Sequence, residues 1–575
     1  MISLKKQWNT TGVDETLSAN LARELDIPRP LSIALVGRGF KNQNQIKQFF
    51  KPRLSNLSDP FLLPGMSEGI ERIWEAITKH EKIVIFGDYD ADGVTSAALV
   101  VSVLQKMGAN VRPFLPDRFK DGYGFTISAL KRCIKIHEPD VIITVDCGTN
   151  SCEAVELAKS TGADVIVTDH HELSGDVAPA LAVINPKLGK NKNIMHLAGV
   201  GVAFKLCHAL IKHGLQKQRP EVADIDLRKW LDLVAIGTVT DIVPIVDENR
   251  ILVNHGLALL NRTESVGLNA LKELTKIKTK INCYHIGFII GPRLNAAGRL
   301  KSADTALELL LTADADKARF LANELEETNR NRKMIEESMV IEARQEIDSY
   351  FKEYENFGLV AGRAGWHVGT IGIAASRISS CYYRPTVLIA FDENGTGKGS
   401  CRSIEGMDIL EVLRECSNLL VSFGGHKMAA GLSMEKKNFD SFRTRFNELC
   451  KNRLRGRDLT PIQNVDAWIN LGEADENLFQ STEKLKPFGI GNPDPTWGAR
   501  NIKLAGPPKK VGKQKEHIKM TVTAGGTQLE AIAFGMGERE VPDGPMDILF
   551  QLKENTFRGY RSLQLNIKDF RMASP

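Results

Sequence analysis

The sequence predicts an α/β protein of several domains: two α/β lobes joined by a long helix, followed by a small all-β barrel. Three observations carry this reading. Apolar, β-branched runs that end in acids recur at residues 83–88, 141–146 and 164–169, with helical patterns between them, which is the order of a parallel sheet. Residues 303–349 contain no Pro or Gly, are rich in Ala, Leu, Glu, Lys and Arg, and read as two helices, the second long. After residue 460 come five short runs of alternating residues, 500–504, 517–524, 527–535, 546–552 and 561–569, separated by turns. At 575 residues the chain is too long for one core. The expected divisions are 1–70, 71–300, 301–350, 351–455 and 456–575.

Composition is that of a soluble globular protein, 42% hydrophobic and 25% charged. No basic segment followed by an apolar run opens the chain, and no apolar run is long enough to span a bilayer, so neither a signal peptide nor a membrane span is expected. The nine cysteines are scattered without a CxxC pair, which suggests a reducing compartment, the cytoplasm. A net charge of +5 is too small to argue for a polyanion partner, so local basic patches must carry that argument.

Residues 1–80 read as mostly helical, with a turn-rich connector marked by Pro52, Pro60 and Pro64. A short strand, 83–87, then runs into Asp88, Asp90, Asp92 and Gly93, and a helix is expected over 94–107. Three like charges within five residues repel one another, and a fold tolerates them where a cation sits between them. At a strand end that cation is a divalent metal with oxygen ligands, the simpler alternative being an acidic loop that caps the next helix. The design recurs at Asp146, which is followed by Gly148, and at Asp169-His170-His171. Parallel strands place their carboxyl ends on one edge of the sheet, so these groups can converge. Asp with Asp and His fits a first-row ion such as Mn²⁺. A lone acid at a strand end would be read as a helix cap, but three such ends tip the balance. Further on, Asp241 follows Gly237-Thr238 and precedes Pro244 at a turn, whereas Asp232 is expected on a helix surface.

Basic segments lie between and after these strands. Pro116–Gly124 holds Arg118 and Lys120 among glycines and aromatics, and 291–299 holds Arg293, Asn295 and Arg299 among small residues that permit close approach of a phosphate backbone. Lys317, Arg319, Arg330, Arg332 and Lys333 place charge along the long helix, lining a polyanion path or a solvated face. An α/β pattern restarts at 357. There the Gly397–Ser403 stretch with Ser400 and Arg402 offers hydroxyls, cations and backbone N–H groups as an anion nest, the loop ending in His426-Lys427 is again small and basic, and Trp366 and His367 could stack or contact a phosphate, Trp366 being equally a core residue. In the β region, Lys509 and Lys510 form a basic cluster, and Phe557-Arg558-Gly559-Tyr560-Arg561 interleaves aromatics with arginines, as surfaces that stack bases do.

Together, Asp88-Tyr-Asp-Ala-Asp-Gly-Val-Thr-Ser96, Val145-Asp-Cys-Gly148, Thr168-Asp-His-His171 and Gly237-Thr-Val-Thr-Asp241 resemble the ordered motifs of the DHH phosphoesterase superfamily. The three-Asp form of the first motif, with Gly291–Arg299 and Gly424–Gly431, is similar to its RecJ branch, the single-stranded-DNA-specific 5′→3′ exonucleases. The resemblance covers roughly residues 40–575. Superfamily members that cleave dinucleotides or very short strands usually carry a histidine where Val84 stands here, a departure that favours the nuclease reading over a small-substrate phosphodiesterase. A scaffold that has lost its metal site is the other alternative, opposed by the complete acidic set.

The resemblance implies a DHH catalytic domain at 71–300, a DHHA1 domain at 351–455 and an OB-fold at 456–575. It implies two divalent cations, Mn²⁺ or Mg²⁺, held by Asp88, Asp90, Asp146, His170 and Asp241, with Asp92 as a close partner and His171 facing the scissile phosphate. Arg118, Arg293, Asn295, Arg299, His367, Ser400, Arg402, His426 and Tyr560 are the implied DNA contacts, Ser400 and Arg402 at the 5′-phosphate. The implied activity releases mononucleotides from single-stranded DNA in repair and recombination. A single-strand-binding protein and a RecQ helicase are the implied partners of a monomer.

Overall fold

A computed structural model describes residues 6–122, 124–557 and 559–573. Tyr123, in the loop that holds Arg118, and Arg558, in the aromatic–arginine run, lie outside the described residues. The chain divides into two units, one formed by Lys51–Arg332 with Lys486–Pro493, the other by Met1–Phe50, Lys333–Leu485 and Asp494–Pro575. A short first strand, β1 (Gln7–Thr10), interrupts the stretch that reads as helical and belongs to the second of these.

The unit around residues 51–332 is built on five parallel strands: β2 (Ile83–Gly87), β3 (Val111–Phe114), β4 (Val141–Val145), β5 (Asp164–Thr168) and β6 (Ala182–Ile184), in the spatial order β3-β2-β4-β5-β6. β2 and β4 are buried at every position because alternate residues serve two cores. Ile83, Ile85, Val141, Ile143 and Val145 pack into one, and Val84, Phe86 and Ile142 into the other. From β2 the chain passes to β3 on one side and returns to β4 on the other, so a crevice opens at the carboxyl ends of β2 and β4. The register decides what faces it. Gly87 pairs with Val145, and Val145 with Thr168, so Asp88, Asp146 and Asp169 are the next residues of three adjacent strands.

The helix after β2 spans Ala91–Lys106 and starts earlier than expected, because the Asp90 side chain caps it by accepting from the Asp92 and Gly93 amides. The segment around Asp241 is the helix Leu231–Thr240, with Asp241 at its C-cap. Asp232, expected on a helix surface, is instead buried, where it accepts the Thr263 hydroxyl at 2.6 Å and the Leu233 amide at 2.9 Å. Lys486–Pro493 folds onto the chain just beyond Asp241. Ile245 N–H donates to Ile490 O at 2.7 Å, and the Arg250 guanidinium donates to Lys486 O at 2.7 Å.

The second unit begins its sheet after the long helix Ala315–Tyr350. Strands β7 (Leu359–Ala364), β8 (Thr386–Phe391), β9 (Thr396–Arg402), β10 (Ser422–His426) and β11 (Ala429–Glu435) lie in the order β10-β11-β9-β8-β7, and only β7–β8 is parallel. After β12 (Ile462–Val465), which pairs with β1, come β13 (Ala467–Trp468), β14 (Trp497–Leu504), β15 (Lys509–Val511), β16 (His517–Ala524), β17 (Thr527–Ala533), β18 (Met546–Phe557) and β19 (Tyr560–Met572). They form one sheet, β13-β14-β18-β19-β17-β16-β15, that closes because β14 also pairs with β16. The closed ring has the five strands that the sequence pattern predicts. The basic Lys509-Lys510 pair stands on an added strand beside it. No helix among the described residues is long and apolar enough to cross a membrane, and the nine cysteines are unpaired.

Candidate metal centre and substrate-facing residues

The crevice gathers the acids that the sequence singles out. Three sets of side chains place their ligating atoms within 4.8 Å of one another: Asp88, Asp90 and Asp146; Asp92, His170 and Asp241; Asp146, His170 and His171. Asp146 and His170 each belong to two sets. His170 Nε2 lies 3.2 Å from Asp146 Oδ1 and 3.5 Å from Asp241 Oδ2.

Local backbone explains the crowding. A Cβ at Gly93 would come within 2.5 Å of the Asp88 backbone, so only glycine lets the Ala91 helix start fold back on the strand end. Asp146 itself has φ +64°, a left-handed conformation costly for a residue with a side chain and frequent at functional sites. A Cβ at Gly199 would lie 2.4 Å from Asp146 Oδ1. Gly199 opens the helix Gly199–Gln216, and its amide and that of Val200 donate to the two Asp92 oxygens at 2.7 and 2.9 Å. Asp92 therefore ties the acidic loop to a helix N-terminus, a contact the sequence reading missed. The signal for it was the small-residue entry Ala198-Gly199-Val200-Gly201.

Asp169 belongs to none of the three sets and holds both histidines. Its Oδ1 accepts the His170 and His171 amides at 2.7 and 3.1 Å and sits 2.7 Å from His171 Nδ1, while Oδ2 accepts the Thr149 amide at 2.9 Å. Burial opposes charge on His171, but the Asp169 carboxylate outweighs it and the ring is pushed up to about 9. Burial and the charged His171 push His170 down to about 3, which keeps its ring neutral, and a hydrogen bond with the Leu197 backbone orients it. Burial and the charge of Asp90 push Asp88 up to about 8 and Asp92 up to about 7. Burial and neighbouring acids raise Asp146 and Asp241 well above the ordinary 3.8.

These residues fit divalent cations. Asp88 Oδ2, Asp146 Oδ1 and His170 Nε2 are buried and make no hydrogen bond among the described residues. Buried carboxylates held this close bind protons or a cation, and oxygen donors with one neutral imidazole suit a first-row divalent ion.

Cations rim the crevice on one side. The Arg118 guanidinium sits 5.2 Å from the Tyr89 ring centre. Burial, together with Arg118 and Arg332 nearby, pushes Arg299 down to about 10. Three guanidiniums thus share one neighbourhood beside Tyr89 and Asp90. Arg332 faces inward from the long helix, buried, where residue type alone left it as one charge in a run. Asn295 Oδ1 accepts the Ala91 amide at 2.7 Å and so braces the acidic loop. Arg293 points elsewhere, with Nε donating to Glu326 at 2.6 Å.

In the other unit, Arg402 donates to Ser400 Oγ and Ser376 Oγ, both at 3.0 Å, at the start of the helix Ile371–Tyr382. A Cβ at Gly372 would lie 2.9 Å from the guanidinium, so this helix start admits the arginine only because it carries glycine. His367 Nδ1 accepts the Gly369 amide at 3.1 Å in the turn leading into that helix, whereas Trp366 is buried and donates to Glu342. His426 is exposed at the end of β10, and Tyr560 is 81% exposed on the β18–β19 hairpin.

Comparison with known proteins agrees with this architecture. Residues 82–238 match the DHH family, N-terminal domain; 355–452 match the DHHA1 domain; and 465–569 match the RecJ OB domain. The single-stranded-DNA-specific exonuclease RecJ of Bacillus subtilis (strain 168) is 37% identical over 99% of this chain and 71% of its own length. That of Escherichia coli (strain K12) is 36% identical over 96% of this chain and 97% of its own. The crystal structure of RecJ from Thermus thermophilus in complex with Mn²⁺ superposes with a TM-score of 0.84 at 29% identity, covering 99% of this chain and 80% of that one. The chain therefore belongs to the RecJ family.

Proposed function

We propose that this chain is a metal-dependent exonuclease that removes mononucleotides from the 5′ end of single-stranded DNA. The observation that carries the reading is the set of buried donors overlapping at Asp146 and His170, which suits two adjacent divalent ions, Mn²⁺ or Mg²⁺. Asp88, Asp90, Asp146, His170 and Asp241 would hold them. Bound ions supply an activated water and neutralise the charge that builds on the phosphoryl group.

The chain's own groups do the rest. Asp92 locks the acidic loop to the Gly199 helix, so the donors are set before any ion arrives. His171, kept protonated by Asp169, donates a hydrogen bond to a phosphate oxygen. Arg118, Arg299 and Arg332 neutralise the adjoining phosphate, with Asn295 bracing the loop and Arg293 bracing the helix it stands on. Ser400 and Arg402 receive the 5′-terminal phosphate beside the helix that follows His367, with His426 on the substrate-facing loop. The five-stranded barrel, with Tyr560 exposed, holds the incoming strand by stacking. In the cytoplasm such an enzyme would act in DNA repair as a monomer, fed by a RecQ-type helicase and single-strand-binding protein, as family resemblance suggests.

The test is Mn²⁺-dependent digestion of a long strand labelled at either end, compared with di- and trinucleotides. Release of labelled mononucleotide from the 5′ end, lost in Asp146→Ala, supports the proposal. Cleavage confined to the short substrates would replace it with a small-substrate phosphodiesterase, and metal-independent activity that survives Asp146→Ala would remove it.

A further inference from the structure

An exposed aromatic pair stands on the helical run that braces the acidic loop. Tyr284 is 62% exposed and Phe288 69%, with ring centres 4.9 Å apart and planes inclined by 31°. Large aromatic faces left in water are costly, and a pre-stacked pair is a rigid, ready-made surface for another flat ring. The backbone beneath it is fixed. Asn282 and His285 cap the turn reciprocally, Ile286 and Ile290 are buried, and Ile286–Ile290 is a π-helical turn, a feature frequent at functional sites.

The same run continues into Gly291–Leu300. Asn295 and Arg299, four residues apart, lie on one face of that helix, and the π-helical turn joins it to Tyr284 and Phe288. Asn295 accepts the Ala91 amide, a Cβ at Gly298 would lie 2.5 Å from Tyr89 O, and Arg299 lies beside Asp90. At about 1.5 Å of rise per residue, Phe288 is roughly 10 Å and Tyr284 roughly 16 Å along the run from Asn295, the reach of two or three nucleotides. Three exposed lysines, Lys276, Lys278 and Lys280, precede it. Aromatic faces preceded by exposed cations, on the same helical run as residues of the proposed phosphate-cleaving site, match one ligand chemistry: the bases and backbone of a single strand.

We propose that Tyr284 and Phe288 form a base-stacking platform for single-stranded nucleic acid, with Lys276, Lys278 and Lys280 along the backbone. The platform rests on the nuclease reading above. It grips the strand independently of sequence, because every base has a flat face, and it rejects duplex, whose bases are already stacked.

The test measures binding of a fluorescent strand of about twenty nucleotides to the full-length chain in EDTA, where nothing is cleaved, and scans one abasic site along the strand. Tyr284→Ala/Phe288→Ala is expected to weaken binding by about tenfold or more. Tyr284→Leu/Phe288→Leu, which keeps apolar bulk, should weaken it similarly, and Tyr284→Trp should not. In the wild type one or two abasic positions cost affinity, and in the alanine variant those positions become silent. Hydrolysis at saturating strand should stay within about twofold of wild type, which separates strand capture from damage to the metal centre. Equal binding by wild type and variant, or the same abasic profile in both, overturns the platform and leaves the nuclease reading intact. A wild-type chain that neither binds nor cleaves single strands overturns both.

Discussion

Replacing Gly199 by alanine should disable the proposed metal centre with one methyl group. The added Cβ would lie 2.4 Å from Asp146 Oδ1 and 2.7 Å from both Asp146 Cβ and Cγ. Ordinary carbon–oxygen contact begins near 3.4 Å, so the carboxylate or the helix start must give by about 1 Å. Neither yields easily. The Asp146 amide donates to Thr168 O at 3.0 Å, and the Gly199 amide is held by Asp92 at 2.7 Å. A displacement of about 1 Å at a reacting centre costs on the order of a hundredfold in rate, which is about 2.7 kcal/mol. Overpacking itself costs about 1–3 kcal/mol of stability. The assays are Mn²⁺-dependent digestion of a 5′-labelled strand, Mn²⁺ binding by calorimetry, and thermal melting to show that the variant folds. Gly201→Ala is the control, since its Cβ would meet only the Leu197 side chain, at 3.0 Å. A folded Gly199→Ala protein whose rate and Mn²⁺ affinity lie within twofold of wild type would refute the reasoning.

Other predictions follow from the same geometry. In EDTA, stability should fall as pH rises. The unfolded carboxylates lose their protons near 3.8, while the folded Asp92 and Asp88 hold theirs to about 7 and about 8, so the favourable protonation is lost across that window. Mn²⁺ should restore the loss, and Asp146→Asn should raise the melting temperature in EDTA while abolishing the Mn²⁺ response. At the Arg118 loop the sign reverses. Burial raises Asp121, but the Arg132 hydrogen bonds outweigh it and hold it below 3.8, so Asp121→Asn should lower the melting temperature at neutral pH, and the difference should close as pH drops below about 4. Arg402→Ala should remove the preference for a 5′-phosphorylated over a 5′-hydroxyl strand, read as the ratio of kcat/KM for the two. Gly491→Ala, at φ +74° with Pro244 and Val246 atoms 3.1 Å from the new Cβ, should loosen the segment clamped beyond Asp241, lowering Mn²⁺ affinity together with melting temperature.

The acids were legible in the sequence because each ends an apolar strand, and parallel pairing makes strand ends neighbours. Asp88, Asp146 and Asp169 meet through register alone. What distinguishes their roles was not legible. Asp169 sits at the same kind of strand end as the other two, yet it turns to the histidine ring and the Thr149 amide. The Gly199–Asp92 contact spans 107 positions and has no local periodicity to announce it. The arginines show the same limit: residue type marked Arg293 and Arg332 alike as cations, but Arg293 is drawn to Glu326 and Arg332 to the neighbourhood of Arg299. Asp232 was misplaced because an acid on an apolar helix reads as its solvent side, while its partner, the Thr263 hydroxyl, lies 31 residues away. Strand β1 was hidden for a related reason, since a four-residue strand gains its partner only from Ile462–Val465.

The proposed two-ion chemistry depends on Asp146 and His170 being shared between neighbouring donor sets. Anomalous scattering from a crystal soaked in Mn²⁺ with a 5′-phosphorylated strand would examine that most directly. Two adjacent peaks are predicted, with Asp146 between them, Asp88 and Asp90 on one, and His170 and Asp241 on the other, and with the 5′-terminal phosphodiester of the strand over the pair. A single peak, a pair that Asp146 does not touch, or a strand that presents its 3′ end there would contradict it.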